Sequence, residues 1–407
     1  MSGLIRIILA TSALFVVNAH GLTLSEAVST ARDASPDARA ADARLAMAAA
    51  ARAGADSAMM PRLYAGASYM QTSSPMNAFG AILNTSSFDN SINFNNPGQM
   101  DALTLSLYLR QPIYTGGRIS AGRAAARALN EAASYERESA LANLDVAVVR
   151  GYFAIRQAGE QVKALSAALA SYDENLRVAR LREKAGQLLA SERLNLEVQS
   201  ARTESQLLEA RQQEDLARAY FAVLLGMQAN AAPELAPDDP TLSLISDPGV
   251  VAPAEWPELR AMDGRVDAAA EAVRFARAGR RPEVGAYAGV DENKSWRRDG
   301  DGDSWTAGVS VSMTLFDGRE TSSKISQASA ALDEAREMRR KIALALELRL
   351  EQARINHRVA LSQLDVCTRQ VAQAEESARL SRERFSAGAL LSAELIGVET
   401  RLADARK

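Results

Sequence analysis

Two long stretches of the chain carry apolar residues at a spacing of seven. In the first stretch one row is Leu141, Val148, Ile155, Val162, Leu169 and Leu176, and a second row follows three residues further on. Two such rows predict a long helix that coils around partner helices. No proline interrupts residues 120–185, so this helix would be about 100 Å long at a rise of about 1.5 Å per residue.

The same pattern returns 202 residues later. Its positions there are Leu350, His357, Leu364, Val371, Ala378 and Phe385, with Cys367 in the place of Leu165. Each copy also starts with one helical stretch that ends at a proline, over residues 36–61 and 257–282. The chain is therefore predicted to be duplicated. A first repeat covers 21–226, a proline-rich linker 227–256, and a second repeat with a short last helix 257–407.

Within each repeat the apolar period changes from seven to two. Strands are predicted at about 62–70, 102–114, 283–290 and 305–316, joined by polar hairpin loops at 71–101 and 291–304. Alternation of apolar with small polar residues is typical of outer-membrane barrel strands, although a soluble sheet packed on helices is an alternative. The residues expected to face lipid are Leu103, Leu105, Leu107, Leu109, Val309, Val311 and Met313.

Four strands are too few for a membrane barrel, which needs about eight. An open sheet edge in lipid would leave backbone groups without hydrogen bonds, at a cost of several kcal/mol each. If these strands enter a membrane, the chain must therefore assemble with copies of itself.

The N-terminus has the features of a secretory signal peptide, predicted over residues 1–20. Arg6 precedes the apolar run 7–17, and the small residues around Ala19 suit a cleavage site. A mainly apolar run of eleven residues is too short to span a bilayer as a helix.

Composition excludes several other functions. The net charge is −3, and basic residues are interspersed with acidic ones, so nucleic-acid binding is not expected. One cysteine and two histidines give no basis for a disulfide framework, a metal site or a cofactor. The sequence shows no catalytic arrangement, so the chain is not expected to be an enzyme. His357 and Cys367 occupy seam positions and are expected to pack between helices.

The two long helices end at similar corners. The first corner contains Arg182, Gly186 and Leu188, and the second Arg384, Gly388 and Leu390. Glycine suits the left-handed residue that follows a helix, so the chain is expected to reverse at both corners.

These features together resemble the TolC family of outer-membrane efflux ducts. The resemblance rests on two helix–hairpin–helix copies, the sequence Gln-Pro-Ile-Tyr-Thr-Gly-Gly-Arg at 111–118, the Tyr152-Phe153 pair, the two corners and the Leu-Leu-Gly ending at 224–226. It implies a mainly α chain with a small β part, long coiled helices that form a tunnel, and four strands in a trimeric twelve-stranded barrel. It also implies a homotrimer in outer-membrane lipid, a periplasmic adaptor (membrane fusion protein) and an inner-membrane transporter.

The resemblance further implies a gate at the tip of the tunnel. Glu394 occupies the family's acidic ring position and Glu192 is its equivalent in the first copy, whereas Asn195 and Gly397 stand where a second acid is common. Acids in the first turn of a helix are also favoured by the helix dipole alone. Arg182 and Arg384 could hold the tip closed. Gly186, Leu188, Gly388 and Leu390 are candidates for docking the adaptor.

The expected function is thus the exit duct of a tripartite efflux or type I secretion system, in the outer membrane and with a large periplasmic part. The alternative is a structural periplasmic coiled-coil protein, or the adaptor itself, without a channel. An adaptor should carry lipoyl-like β structure between helical arms, whereas here the helices flank strands with lipid-type alternation.

Overall fold

A computed structural model of the chain describes residues 21–239 and 253–407. The predicted signal peptide and residues 240–252 of the predicted linker lie outside the described residues. The chain forms two compact units. The first is built from the described parts of Met1–Asp42, Arg137–Ala252 and Ala345–Lys407, and the second from Ala43–Glu136 and the described part of Pro253–Leu344.

The fold is mainly helical with a small β part, as predicted. The helices are α1 Leu24–Ala34, α2 Pro36–Ser57, α3 Pro75–Asn84, α4 Arg118–Lys184, α5 Ala190–Leu224, α6 Pro257–Ala278, α7 Glu320–Ser386 and α8 Ser392–Arg406. The strands are β1 Arg62–Thr72, β2 Met100–Thr115, β3 Glu283–Ser295 and β4 Gly300–Ser312. Helices α4 and α7 have 67 residues each. Their starts and ends are both 202 positions apart, which confirms the duplication.

The first unit begins with a capped helix and a proline break. Thr23 and Glu26 form a capping box at the start of α1, a spacing that the sequence Thr23-Leu24-Ser25-Glu26 already indicates. Two helices rather than one cover the alanine-rich stretch between Thr23 and Pro61, because α1 ends at Ala34 and α2 begins at Pro36. A residue before proline is restricted to extended backbone, and Ser35 accordingly has a ψ of 136°.

The heptad seam of α4 packs as predicted. Leu144, Val148 and Ile155 are buried in one cluster with Phe221 and Leu225 from the end of α5. Further along the seam, a second cluster joins α4 to the middle of α5 through Leu165, Leu207 and Ala210. Burial of this apolar stripe, rather than intrinsic helix propensity, is what stabilises such long helices.

In the single chain, the packing expected for the second seam is absent over part of α7. His357, Leu364 and Cys367 are exposed, and so are all the remaining residues from 351 to 370. Helix α8 ends at Arg406, and its ion pair with Glu375 lies outside this stretch of α7. Among the described residues, this stretch of α7 therefore lacks the cover that α5 gives to α4.

A buried hydrogen-bond network ties the linker to the start of the chain. Asp239 is 8% exposed, and one of its carboxylate oxygens accepts from the Tyr152 hydroxyl at 2.9 Å and from the backbone N–H of Leu24 at 2.7 Å. Burial, together with the hydrogen bond to Asp239, raises the pKa of Tyr152 to about 12. The pair stabilises the protonated phenol.

Replacing Tyr152 by phenylalanine should lower the free energy of unfolding by about 1–2 kcal/mol, because the Asp239 carboxylate loses a donor. A tyrosine pKa that is raised on folding gives stability that is complete below about pH 10 and is lost as pH rises towards 12. Denaturant unfolding of the detergent-solubilised protein at pH 8 and pH 11 measures this. The difference between wild type and Tyr152→Phe should shrink at pH 11, and an undiminished difference would contradict the assignment.

The second unit contains one antiparallel sheet in the order β1-β2-β3-β4. Cross-strand pairs place Leu107 between Ala65 and Val290, and Tyr108 between Tyr64 and Gly289. The register breaks once, between Pro112 and Tyr114, where proline cannot donate a ladder hydrogen bond. No helix within 21–239 and 253–407 combines the length and apolar character that crossing a bilayer requires.

Strands β3 and β4 run closer to their connecting turn than predicted, and β4 ends earlier than predicted at its C-terminal end. The loop expected at 291–304 is wrong, since only residues 296–299 separate the strands. Asp101 holds this turn by accepting hydrogen bonds from the Ser295 hydroxyl and from the backbone N–H groups of Trp296 and Arg297. At the other end β4 stops at Ser312, which pairs with Glu283. Met313 therefore lies outside the strand.

The loop expected at 71–101 contains a helix, α3. Its buried residues Ala78, Ala81 and Ile82 pack with Met100 and Ala102 of β2. Pro75 occupies the first turn, where its missing N–H costs nothing. The apolar spacing of three and four was present in the sequence, but the surrounding asparagine, serine and glycine residues concealed it.

Candidate functional site

One face of the sheet is apolar and exposed. Leu107 is 43% exposed, Val309 65% and Val311 68% in the single chain. The other expected lipid-facing strand residues, Leu105 and Leu109, are exposed and Leu103 is half-buried. A soluble sheet packed on helices would bury this face. The exposure of these side chains therefore disagrees with that alternative.

Charged residues mark one border of the apolar face. Leu105 pairs with Glu292 and Leu103 with Lys294, so both leucines lie where charges join the face. Next towards the apolar centre lies Trp305, which pairs with Val290. Leu107 lies in the same row as Val290 and Trp305, one row inside this border, and is therefore a better candidate for contact with lipid than Leu103. Met313 is exposed beyond the end of β4 and does not belong to the strand face.

Both outer strands of the sheet have a free edge. In the sheet order β1-β2-β3-β4, β1 pairs only with β2 and β4 only with β3 among the described residues. Long unpaired edges next to an exposed apolar face are a template for further strand pairing. The sheet is thus suited to joining strands from another chain.

The corners after α4 and α7 have the same backbone geometry. Gly186 has φ +73° and Gly388 has φ +81°, in the left-handed region predicted for both. At the first corner the Gln187 N–H donates to the Arg182 carbonyl at 2.8 Å, and at the second the Ala389 N–H donates to the Arg384 carbonyl at 2.8 Å. Both are Schellman endings, in which a non-glycine residue would be strained.

An apolar cluster joins the two corners. Tyr172, Leu176 and Ala179 of α4 pack with Leu196 of α5, Phe385 of α7 and Leu395 of α8. Leu188 and Leu390, the candidates for docking, are half-buried against the same cluster. Their burial gives both residues a packing role in the single chain.

Arg182 and Arg384 are placed differently. Arg182 donates to the Phe385 carbonyl at 2.8 Å and to the Gln187 carbonyl at 3.3 Å, and its guanidinium lies 5.2 Å from the Phe385 ring centroid. It thus connects the first corner to the second. Arg384 is exposed and makes no ion pair with the residues that the structure describes.

The acidic gate candidates lie at the starts of the returning helices. Glu192 is half-buried in the first turn of α5, and Glu394 is exposed in the first turn of α8. Asn195 is exposed one turn further along α5. In the single chain neither acid makes an ion pair with a described residue, so both are free to act on a ligand or a neighbouring copy.

A buried ion pair near the corners was not predicted. The Arg382 guanidinium binds both carboxylate oxygens of Glu399, with 2.8 Å between Nη2 and Oε2. Glu399 is only 2% exposed, and its hydrogen bond raises the pKa of Arg382. The first copy has the equivalent pair, Arg180 and Glu197, at 3.4 Å. The sequence did contain a signal for this ion pair, because an arginine and a glutamate recur at the same two positions of both repeats, 202 residues apart.

Within the described part of the chain, no group of three or more histidine, cysteine, aspartate or glutamate side chains is arranged to hold a metal ion. The recurring features are instead an unpaired sheet with an apolar face and a pair of matching helix corners. Unpaired sheet edges of this kind are suited to assembly with further strands.

Comparisons with known proteins agree with this geometry. The model of the outer membrane efflux protein family matches residues 27–227 and 251–407. No curated protein matches the chain.

Several solved structures share the fold. The outer membrane protein VceC from Vibrio cholerae has 18% sequence identity and a TM-score of 0.78, and the match covers 94% of this chain and 90% of VceC. The CmeC outer membrane channel of Campylobacter jejuni has 15% identity and a TM-score of 0.82, with 95% and 81% covered. The outer-membrane channel OprN has 21% identity and a TM-score of 0.79, with 94% and 84% covered.

Proposed function

Since the chain belongs to the outer membrane efflux protein family, we propose that three copies form one passive exit duct through the outer membrane. Their twelve strands would make a single barrel, and the coiled helices would line a tunnel on the periplasmic side. The members of the outer membrane efflux protein family are transport channels, in agreement with the expectation that the chain is not an enzyme.

The exposed apolar face of the sheet is the observation that carries this proposal. Val309 and Val311 are 65% and 68% exposed in the single chain, although water is a poor solvent for a row of aliphatic side chains. Lipid would cover the face, and neighbouring copies would pair the free edges of β1 and β4. Three copies with four strands each supply twelve strands, which is more than the minimum of about eight strands that a membrane barrel requires.

The duct would receive its cargo from a periplasmic adaptor and an inner-membrane transporter, as part of a tripartite efflux or type I secretion system. The two corners are the proposed docking region, with Gly186, Leu188, Gly388 and Leu390 as candidates. Residues 1–20 would direct export and be removed, and 227–256 would link the two repeats.

Fractionation and electrophoresis test the proposal against a periplasmic coiled-coil protein or adaptor. The duct should be found in outer-membrane fractions as a trimer that resists detergent and dissociates on heating. It should also produce ion currents after reconstitution into planar bilayers. A monomer released with the periplasmic contents, without currents, would reject the duct in favour of the alternative.

We further propose that Glu394 lines a closed tip, where three copies would bring like charges around one axis and attract cations. Arg182, which bridges the two corners through the Phe385 carbonyl, would help to keep the tip closed. Glu192 and Asn195 would lie near the same constriction, and Arg384 would contact a neighbouring copy.

Replacing Glu394 by glutamine should weaken block of bilayer currents by Mg²⁺ by about tenfold, because the proposed ring loses its negative charge. Glu394→Asp is the matched control and should retain block, since it keeps the charge. Equal block in all three proteins would remove Glu394 from the constriction.

A further inference from the structure

The polar face of the sheet carries an arginine- and tyrosine-lined cavity that the proposed duct does not by itself explain. The cavity has a volume of about 810 Å³ and is lined by Arg62, Tyr64, Tyr108, Arg110 and Tyr287, among others. Strand register sets these residues side by side. Arg110 lies between Arg62 and Tyr287, and Tyr108 lies next to Tyr64.

Two of the tyrosine rings lie flat across neighbouring strands because glycines make room for them. A Cβ atom on Gly289 would come within 2.7 Å of the Tyr108 ring, and one on Gly308 within 2.7 Å of the Tyr287 hydroxyl. The two rings are nearly parallel, at 7° with centroids 6.2 Å apart. One side of each ring is covered by a glycine, so the pair presents a planar aromatic floor to the cavity.

Two guanidinium groups stand at this floor without a carboxylate partner. Arg62 and Arg110 pair directly across β1 and β2, and like charges in such positions repel. Neither makes an ion pair with the described residues, and the Arg110 guanidinium lies 5.9 Å from the Tyr108 ring centroid. Two like charges opposite each other destabilise the sheet, and an anion bound between them would relieve this repulsion.

The other charges at the cavity do not neutralise this pair. Arg118 binds Glu283 at 2.9 Å, and Arg123 binds Asp56 at 2.6 Å. Glu283 is the only acid that lines the cavity among the described residues, and it is already engaged by Arg118. The uncompensated charge at the floor is therefore positive.

We propose that this cavity is a binding site for planar aromatic anions, such as aromatic carboxylates or sulfonates, that pass along the polar face of the sheet. The ring system of the ligand stacks on Tyr108 and Tyr287, and its anionic group binds Arg62 and Arg110. The location within a duct rests on the proposed function, because the polar face becomes the barrel interior only if three copies close around it.

Calorimetric titration of the detergent-solubilised full chain with 2-naphthalenesulfonate tests the site. The neutral analogue 2-naphthylmethanol serves as the comparison ligand. Wild type should bind the anion at least about tenfold more tightly than the neutral analogue, because charge-assisted hydrogen bonds add to stacking. Equal affinities for the two ligands would overturn the proposal.

Variants separate the contributions of charge and stacking. Arg62→Gln with Arg110→Gln should weaken anion binding at least about tenfold and leave binding of the neutral analogue unchanged. The double variant Arg62→Lys with Arg110→Lys keeps both positive charges, so its affinity for the anion should fall less than that of the glutamine variant. Tyr108→Leu with Tyr287→Leu should weaken binding of both ligands about fivefold or more. Arg44→Gln, an exposed change on α2 that does not line the cavity, is the control.

Bilayer currents distinguish failure of this site from failure of the duct. If wild type conducts ions but the glutamine variant binds the anion as tightly as wild type, the anion site is wrong and the duct stands. If wild type gives no trimer and no current while anion binding still depends on Arg62 and Arg110, the site stands and the duct is wrong.

Discussion

Replacing Leu107 by arginine should abolish assembly of the trimer in the outer membrane. Leu107 lies between Ala65 and Val290 on the apolar face, one row inside the charged border at Glu292. A charged side chain near the middle of a lipid-facing strand costs about 2–4 kcal/mol, and a homotrimer would bear that cost three times. The yield of heat-sensitive trimer in outer-membrane fractions measures the effect.

The neighbouring residue on β2 provides a matched control for this change. Ser106 lies on the opposite face, where its hydroxyl donates to Asp291 at 2.5 Å. An arginine at Ser106 would replace that hydrogen bond with an ion pair and should leave the trimer yield nearly unchanged. If Leu107→Arg assembles as well as Ser106→Arg, the apolar face does not contact lipid.

Replacing Arg382 by alanine should lower the free energy of unfolding by about 2–3 kcal/mol. The change leaves the carboxylate of Glu399, which is 2% exposed, buried without its partner. Breaking a fully buried pair typically costs about 3–5 kcal/mol. The expected value is lower because 40% of the Arg382 side chain is exposed and water screens the pair.

The duplication supplies the control for Arg382 within the same protein. Arg180 pairs with Glu197 at the equivalent place, but their side chains are 60% and 34% exposed. Arg180→Ala should therefore cost less than about 1 kcal/mol. Thermal unfolding of both variants, followed by circular dichroism at 222 nm in detergent, gives the comparison. Equal losses of stability would show that burial of Glu399 contributes nothing.

Periodicity was sufficient to predict the elements whose side chains repeat in register over many residues. The seam around Val148 and Ile155 predicted the packing of α4, and the alternation around Leu107 predicted β2. Such patterns are reliable because every residue in the row meets the same environment. Helix corners were equally accessible, since the left-handed conformation at Gly186 and Gly388 strongly favours one residue type.

Sequence reasoning failed where contacts between distant segments decide the structure. The turn between β3 and β4 is fixed by Asp101, which is 194 residues from Ser295 along the chain. Likewise, the alternation of β4 continues past Ser312, but pairing stops where β3 begins after Pro282. In α7, the seam at His357 and Leu364 satisfies the heptad rule without a covering helix among the described residues.

Candidate site residues were predictable in position but not in contacts. The sequence placed Glu192 and Glu394 in first helical turns, as observed. It did not distinguish Arg182, which bridges the two corners, from the exposed Arg384. The repeat relation treats those two arginines as equivalent, whereas packing against Phe385 selects only one.

Disulfide cross-linking between the free edges of the sheet tests the barrel most directly. With Cys367, the single native cysteine, replaced by serine, pairs of cysteines are introduced across β1 and β4, at Ala65 or Ala67 and at Ala307 or Val309. Oxidation in intact outer membranes should yield covalent dimers and trimers and nothing larger, because β4 of one copy meets β1 of the next in a closed ring of three. Only uncross-linked monomers, or cross-links confined to one chain, would contradict a shared barrel.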